Sequence, residues 1–281
     1  MSESENRVLG LRGQEREALC KLRHAFEVAR NRRTLTRGDY LRIGPGTARD
    51  LNAANPSART LLGRALWKKL RSHFHLADST HFPDAPLFFL TLVDTDCMTP
   101  VNASQVNVRA FVQRLRCGLR GLSYVGMVDL GLYANISPGT NFFARTGVNW
   151  HLHLLAWGED RADLKCRAKA MNTAADNYWP IIPRPQGIGF HWLQVTEENF
   201  WPFFCYIFKW PRKAYRIGRA AVVDPKGNAD FKFVQGKSEL RPGEIVALFN
   251  LLKKFSLDDL FLAGGEAVDL RRRVLRATAG R

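Results

Sequence analysis

Val148-Asn149-Trp150-His151-Leu152-His153-Leu154-Leu155-Ala156-Trp157 is rich in aromatic and aliphatic residues and holds no Asp, Glu, Lys or Arg, which predicts a strand over residues 148–157. Side chains alternate across a strand, so His151 and His153 leave one face while Leu152 and Leu154 enter the opposite layer. Two imidazoles so placed are close enough to chelate one metal ion. A lone His-x-His has little specificity, and the competing reading is a structural or incidental pair. The metallo-hydrolase continuation with an Asp and a third His is absent, and so is H-E-x-x-H. His191 is the one histidine that follows this strand, which makes a carboxylate the more economical third ligand.

Upstream, residues 124–133 also read as a strand, and Asp129 stands in its apolar run Tyr124-Val125-Gly126-Met127-Val128-Asp129-Leu130-Gly131. If the two strands are neighbours, Asp129 faces the same metal; otherwise it is an acid at a sheet edge, exposed to water. Residues 87–93 form a buried-type strand, 106–119 a helix, 160–177 a helix, 191–195 a short strand and 197–210 a helix. Strands separated by helices, with antiparallel pairing across the loop 135–147, predict an α+β sheet with helices on one face.

A change of composition at Phe82-Pro83-Asp84-Ala85-Pro86 sets off a basic helical region over 1–82 from a compact unit over 83–215, and residues 216–281 follow as a basic extension. In the first region Ala18, Leu22, Phe26 and Ala29 recur at helical spacing, as do Leu61, Leu62, Leu66 and Leu70, on either side of the turn Gly44-Pro45-Gly46. Such a helical pair either forms a DNA-binding arm or packs on the core and carries solvated charge. The last region has one clear helix over 243–255 and ends near Arg271-Arg272-Arg273.

Lys and Arg outnumber Asp and Glu by 42 to 26, a formal charge of +16, and this excess attracts polyanions, of which nucleic acids and anionic membranes are the commonest. No apolar run approaches the roughly 20 residues that span a bilayer, and Met1 to Leu11 is too polar for a signal peptide. Nucleic acid is therefore the favoured partner. Cys20, Cys97, Cys117, Cys166 and Cys205 lie far apart without a C-x-x-C pair, as expected of reduced thiols in the cytoplasm, and a cysteine-based zinc site is not expected.

In Phe203-Phe204-Cys205-Tyr206-Ile207-Phe208-Lys209-Trp210, positions three apart on a helix share a face, so Tyr206 and Lys209 are expected to project together. Tyr206 is then either a core aromatic beside a solvated lysine or a nucleophile beside a cation that favours its phenolate.

The order of these pieces resembles the His-hydrophobic-His endonucleases. Phe88-Phe89-Leu90-Thr91-Leu92 looks like their first motif, His151-Leu152-His153 like the second, and Tyr206-Ile207-Phe208-Lys209 like the Tyr-x-x-Lys third. The resemblance covers residues 87–215, about half the chain. It implies a ferredoxin-like or RRM-like antiparallel sheet, a divalent ion (Mg²⁺ or Mn²⁺) on His151 and His153, and Tyr206 as the nucleophile with Lys209 beside it. Asp129 fills the place of the family's acidic ligand, more often Glu. Nicking and rejoining of single-stranded or hairpin origin DNA through a 5′-phosphotyrosyl link follows from the same likeness, in the cytoplasm of a bacterial host. Relaxases place the nucleophile ahead of the histidines, whereas Tyr206 follows them, which favours a replication initiator over a relaxase; a transposase stays open. Trp210 stands where a second tyrosine would give a paired arrangement, so a single nucleophile is expected. Gly236-Lys237-Ser238 fails as a phosphate loop because Phe231 occupies the earlier glycine position, so strand separation falls to a host helicase and replication machinery. Arg30, Arg32, Arg33, Lys68, Lys69, Arg212, Lys213, Arg271, Arg272 and Arg273 are the candidate DNA contacts. Competing functions are a catalytically inactive DNA-binding regulator and a hydrolase that uses the metal to activate water.

Overall fold

The structure is a computed structural model that describes residues 3–28, 34–74, 86–134, 146–172, 188–223 and 229–279. Helix α1 (Glu3–Glu27) is followed by the short α2 (Arg37–Arg42), a 3₁₀ turn (Pro45–Asp50) that begins in the Gly44-Pro45-Gly46 segment, and α3 (Pro56–His73). Asn55 starts α3 by accepting the Ser57 N–H at 2.8 Å, and Pro56 occupies the first helical position, where its missing N–H costs nothing. Leu62, Leu66, Trp67 and Leu70 line its buried side. Of the two roles left open for the N-terminal helices, packing on the core is realised: Phe26 of α1 meets Phe249 edge-on at 4.9 Å, and α1 and α3 share one apolar cluster with the sheet.

Strand β1 (Leu87–Pro100), helix α4 (Val108–Leu115), strands β2 (Ser123–Ala134) and β3 (Thr146–Trp157), helix α5 (Arg161–Asn172), strand β4 (Ile188–Val195) and helix α6 (Glu197–Phe208) come next. In space β4, β1, β3 and β2 lie side by side in that order with antiparallel ladders throughout. Helix α6 lies on the face that carries His153, while Leu92 on the other face approaches the turn after α4 and Met171 of α5. The expectation of helices on one face is thus corrected, because both faces are apolar: Phe88, Leu90, Leu152 and Leu154 are buried on one side, Met127 and Leu155 on the other. Helix α6 stops at Phe208, short of Trp210: Lys209 turns to an extended conformation (φ −57°, ψ 145°), and Pro211 bars Trp210 from helical geometry.

The C-terminal segment is more regular than its composition foretold. Strands β5 (Lys213–Val223) and β6 (Ala229–Glu239) form an antiparallel ribbon, α7 (Pro242–Leu252) and the single turn α8 (Leu257–Leu260) follow, β7 (Phe261–Gly264) pairs with β2, and α9 (Ala267–Ala279) ends the described chain. Strand β5 joins β2 in parallel over Leu132–Ala134, so the sheet is mixed and curled where an antiparallel one was expected. The reason is connectivity: α6 carries the chain back across the sheet before β5 enters at the edge of β2. Residues from all three sequence regions, among them Leu22, Leu152 and Leu270, belong to one core. No helix among the described residues is long and apolar enough to cross a membrane.

Candidate metal and tyrosine site

The neighbouring strands β2 and β3 place Asp129 opposite His151 and Met127 opposite His153, so one acid and two imidazoles emerge together on one face. Their Nε2 atoms stand 3.0 Å apart, and Asp129 Oδ2 is 4.0 Å from that of His151 and 3.7 Å from that of His153. His151 Nδ1 lies 3.2 Å from the Asn149 carbonyl, which can only accept, so Nδ1 carries the proton and Nε2 a lone pair. His153 Nδ1 is 3.0 Å from Thr91 Oγ1 on β1, and donation to that oxygen frees its Nε2 in the same way. With both rings in that tautomer, the two lone pairs turned on each other at hydrogen-bond distance are reconciled by a shared cation. Ligands about 2.0–2.2 Å from one ion can be separated by no more than about twice that, and all three separations fall within this limit. Asp129 Oδ1 is buried without a hydrogen-bond partner. The buried Asp129, His151 and His153 cluster can therefore hold a metal ion.

Burial opposes the Asp129 charge, but the Lys209 ammonium, then His151 and the Arg59 guanidinium, outweigh it and hold the carboxyl below its ordinary range. His151 is pushed down by burial, with Asp129 pulling the other way, and His153 falls well below the usual imidazole range through burial and the charges of Lys209 and His151. Both rings are accordingly neutral near pH 7, the form that binds metal.

Tyr206 rises from α6 to set its ring edge-on to His153 at 4.8 Å, with Phe89 at 5.9 Å. Lys209 does not share a helical face with it. The turn after Phe208 instead brings the ammonium over the Tyr206 ring, 3.6 Å from its centroid, and within 2.5 Å of Asp129 Oδ2. Burial, with the Asp129 charge and Tyr215 adding and Lys237 opposing, lifts the Tyr206 phenol to about 12. A cavity of about 220 Å³ opens over His151, His153 and Tyr206, lined also by Thr91, Tyr133, His191, Phe203, Tyr215 and Lys237.

No family model, curated protein or solved structure matches this chain.

The structure brings together Asp129, His151, His153, Tyr206 and Lys209 and leaves the candidate DNA contacts elsewhere. Lys68 on α3 is exposed and Lys69 half-buried; Arg272 and Arg273 on α9 are exposed, and Arg272 pairs with Asp269 at 2.8 Å. Lys213 is exposed at the start of β5. Arg212 is held by Glu17 of α1, and Arg271 by Asp258 and the Phe261 carbonyl, so these two serve packing as well as charge. Arg30, Arg32 and Arg33 lie outside the described residues.

Sequence reasoning missed three groups. Arg59 on α3 is 1% exposed and donates to the Ala53 carbonyl at 2.9 Å and to that of Lys209 at 3.0 Å, fixing the chain where α6 ends. Nothing sets it apart locally from the other basic residues of its helix. Tyr215 and Lys237 reach the cavity through long-range strand pairing, on β5 and β6, which no local pattern announces. Thr91 was legible as part of the first motif, and its strand alternation with Phe89 aims it at the histidines.

Proposed function

We propose that the protein is a metal-dependent single-strand DNA nickase of the replication-initiator kind, in which Tyr206 becomes joined to the 5′ end of the cut strand. The observation that carries this reading is that both histidines of a three-ligand metal cluster line one cavity together with a tyrosine whose ring is 4.8 Å from one of them. A hydrolase that activates water has no use for that tyrosine. The β-α-β-β-α-β order with β4, β1, β3 and β2 side by side agrees with a ferredoxin-like plan, which the three motifs imply.

Asp129, His151 and His153 would hold Mg²⁺ or Mn²⁺, and the mixed nitrogen and oxygen set suits Mn²⁺. When bound, the ion supplies Lewis acidity and positive charge at the scissile phosphate. The chain's own residues do the rest. Tyr206 Oη forms the new bond to phosphorus, the bond from phosphorus to the 3′ oxygen breaks, and that oxygen leaves to become the 3′-hydroxyl as the phenol gives up its proton. A phenol at about 12 is neutral near pH 7, so it must be activated by charge from the bound phosphate's surroundings. Lys209, over the ring and on Asp129, orients the phenol and offsets the carboxylate charge that would otherwise oppose its ionisation. Rejoining is the same exchange in reverse.

Incubation of the full chain with single-stranded origin DNA and Mn²⁺, followed by mass spectrometry of the tryptic digest, tests the reading. A nucleotide on the peptide holding Tyr206 is expected, and Tyr206→Phe should abolish it while the ring packing against Phe89 keeps the fold intact. Adduct on another residue, or cleavage undiminished by EDTA, would overturn the proposal.

A further inference from the structure

Beside the metal cluster the cavity has a second wall that the nicking chemistry does not use. Tyr133 of β2 and Tyr215 of β5 are register partners across the parallel junction, and their rings stack 4.6 Å apart at an interplanar angle of 11°. Tyr215 is in turn the cross-strand partner of Lys237 on β6, whose ammonium stands over its ring, 4.9 Å from the centroid. A Cβ built on Gly131 would lie 3.3 Å from Tyr133, 3.4 Å from Tyr215 and 3.7 Å from His151, so both tyrosine rings and the imidazole border one glycine. Two cations near this edge are engaged by acids, Lys209 by Asp129 and Arg216 by Glu244. Lys237 is exposed and has no acidic partner among the described residues.

We propose that Tyr215 and Lys237 form a nucleotide subsite adjoining the metal centre, in which the flexible Lys237 side chain swings off the Tyr215 ring to take the phosphate and a base packs on the ring face it vacates, with Tyr133 backing the other face. The proposal rests on the nicking reading above and deepens it by assigning where the strand next to the cut is held. Two features select a nucleotide. An aromatic wall accepts any base, because every base has a π face. Since Lys209 already balances Asp129, Lys237 and a divalent ion leave the cavity positive, which matches a ligand with more than one phosphate. Strand pairing keeps the two groups together: the β5–β6 register holds the ammonium over the ring, within reach of the phosphate of a base that takes its place.

Fluorescence anisotropy of the full chain with Mn²⁺ and a 5′-labelled oligothymidylate of about 12 nucleotides tests the subsite. Tyr215→Leu should weaken binding about 5- to 150-fold, the range of one lost base stack, and Tyr215→Phe should recover most of it. Lys237→Gln should reduce the slope of log affinity against log salt by about 0.7, one single-strand phosphate contact. An oligonucleotide with abasic positions should bind the wild type more weakly, yet make little difference to Tyr215→Leu. Unchanged Mn²⁺ affinity checks that each variant is folded, and Lys237→Gln, being on the surface, does so independently. If the wild type binds the oligonucleotide and forms the Tyr206 adduct while Tyr215→Leu and Lys237→Gln bind equally well, the subsite is refuted and the nicking reading stands. Failure of the wild type itself to bind would overturn both.

Discussion

Asp129 is the residue on which the site's electrostatics turn. Its carboxylate is buried at 2% exposure beneath two imidazoles, against an ammonium and within the field of the buried Arg59 guanidinium. Burying that charge is tolerable only because it is paired. The histidines pay no such penalty while neutral, and this makes the fold sensitive to acid. The folded His153 titrates well below its ordinary 6.5, and His151 below it, whereas in the unfolded chain both return to about 6.5. Above that value neither state binds the proton and stability is independent of these rings. Below it the unfolded chain takes up protons that the folded site excludes, so stability falls as pH falls, by up to about 1.4 kcal/mol per pH unit for each ring. Asp129, itself depressed, acts only at lower pH. Urea midpoints of the metal-free protein should therefore drop between neutral pH and about pH 5, and the drop should shrink in His151→Asn/His153→Asn. An equal drop in that double variant would show that other groups set the acid limit.

Strands β2 and β3 deliver all three ligands, and Gly126 of β2 stands opposite Leu154. A Cβ there would stand 2.1 Å from the His153 carbonyl oxygen and 2.7 Å from Leu154 Cα, backbone atoms that cannot swing aside. Gly126→Ala must push the two strands apart three residues from Asp129. It should cost about 1–3 kcal/mol of stability, as overpacking does, and weaken Mn²⁺ binding as well, read by urea denaturation and by metal titration. Alanine tolerated in both measurements would mean that the ladder has slack. The pairing of these strands was legible because it follows from local alternation: residues 148–157 declare both faces, and Asp129 stands out as the acid in an apolar run. Strand β7 was not legible, being four residues long and dependent on β2 for its pairing. The β5–β6 ribbon was missed for a related reason, since its glycines and basic residues blur the period-2 pattern and register alone makes it a sheet edge. Lys209 was correctly paired with Tyr206, but by the wrong geometry: the helix ends at Phe208, just before Lys209, and it is the turn held by Arg59 that carries the ammonium inward.

The excess of positive charge has to be divided between cations that hold the fold and cations open to solvent. Helix α3 contains no Asp or Glu, and α9 packs beside it, so Lys68, Lys69 and Arg273 lie on adjoining helices without an acidic partner among the described residues. Arg271, on the same α9, is spent on the Phe261 carbonyl at 2.6 Å and on Asp258. These neighbours should thus respond differently. Replacing Lys68, Lys69 and Arg273 together by Gln should leave the thermal midpoint nearly unchanged and reduce the slope of log affinity for single-stranded DNA against log salt by about 2, roughly 0.7 for each released contact. Arg271→Gln should do the reverse: the Phe261 carbonyl loses its donor, stability falls by about 1 kcal/mol, and the salt slope stays near that of the wild type. Anisotropy titrations between about 50 and 200 mM salt, with melting curves of the same samples, measure both quantities. A slope that the triple variant leaves untouched would mean that these charges on α3 and α9 are only solvated.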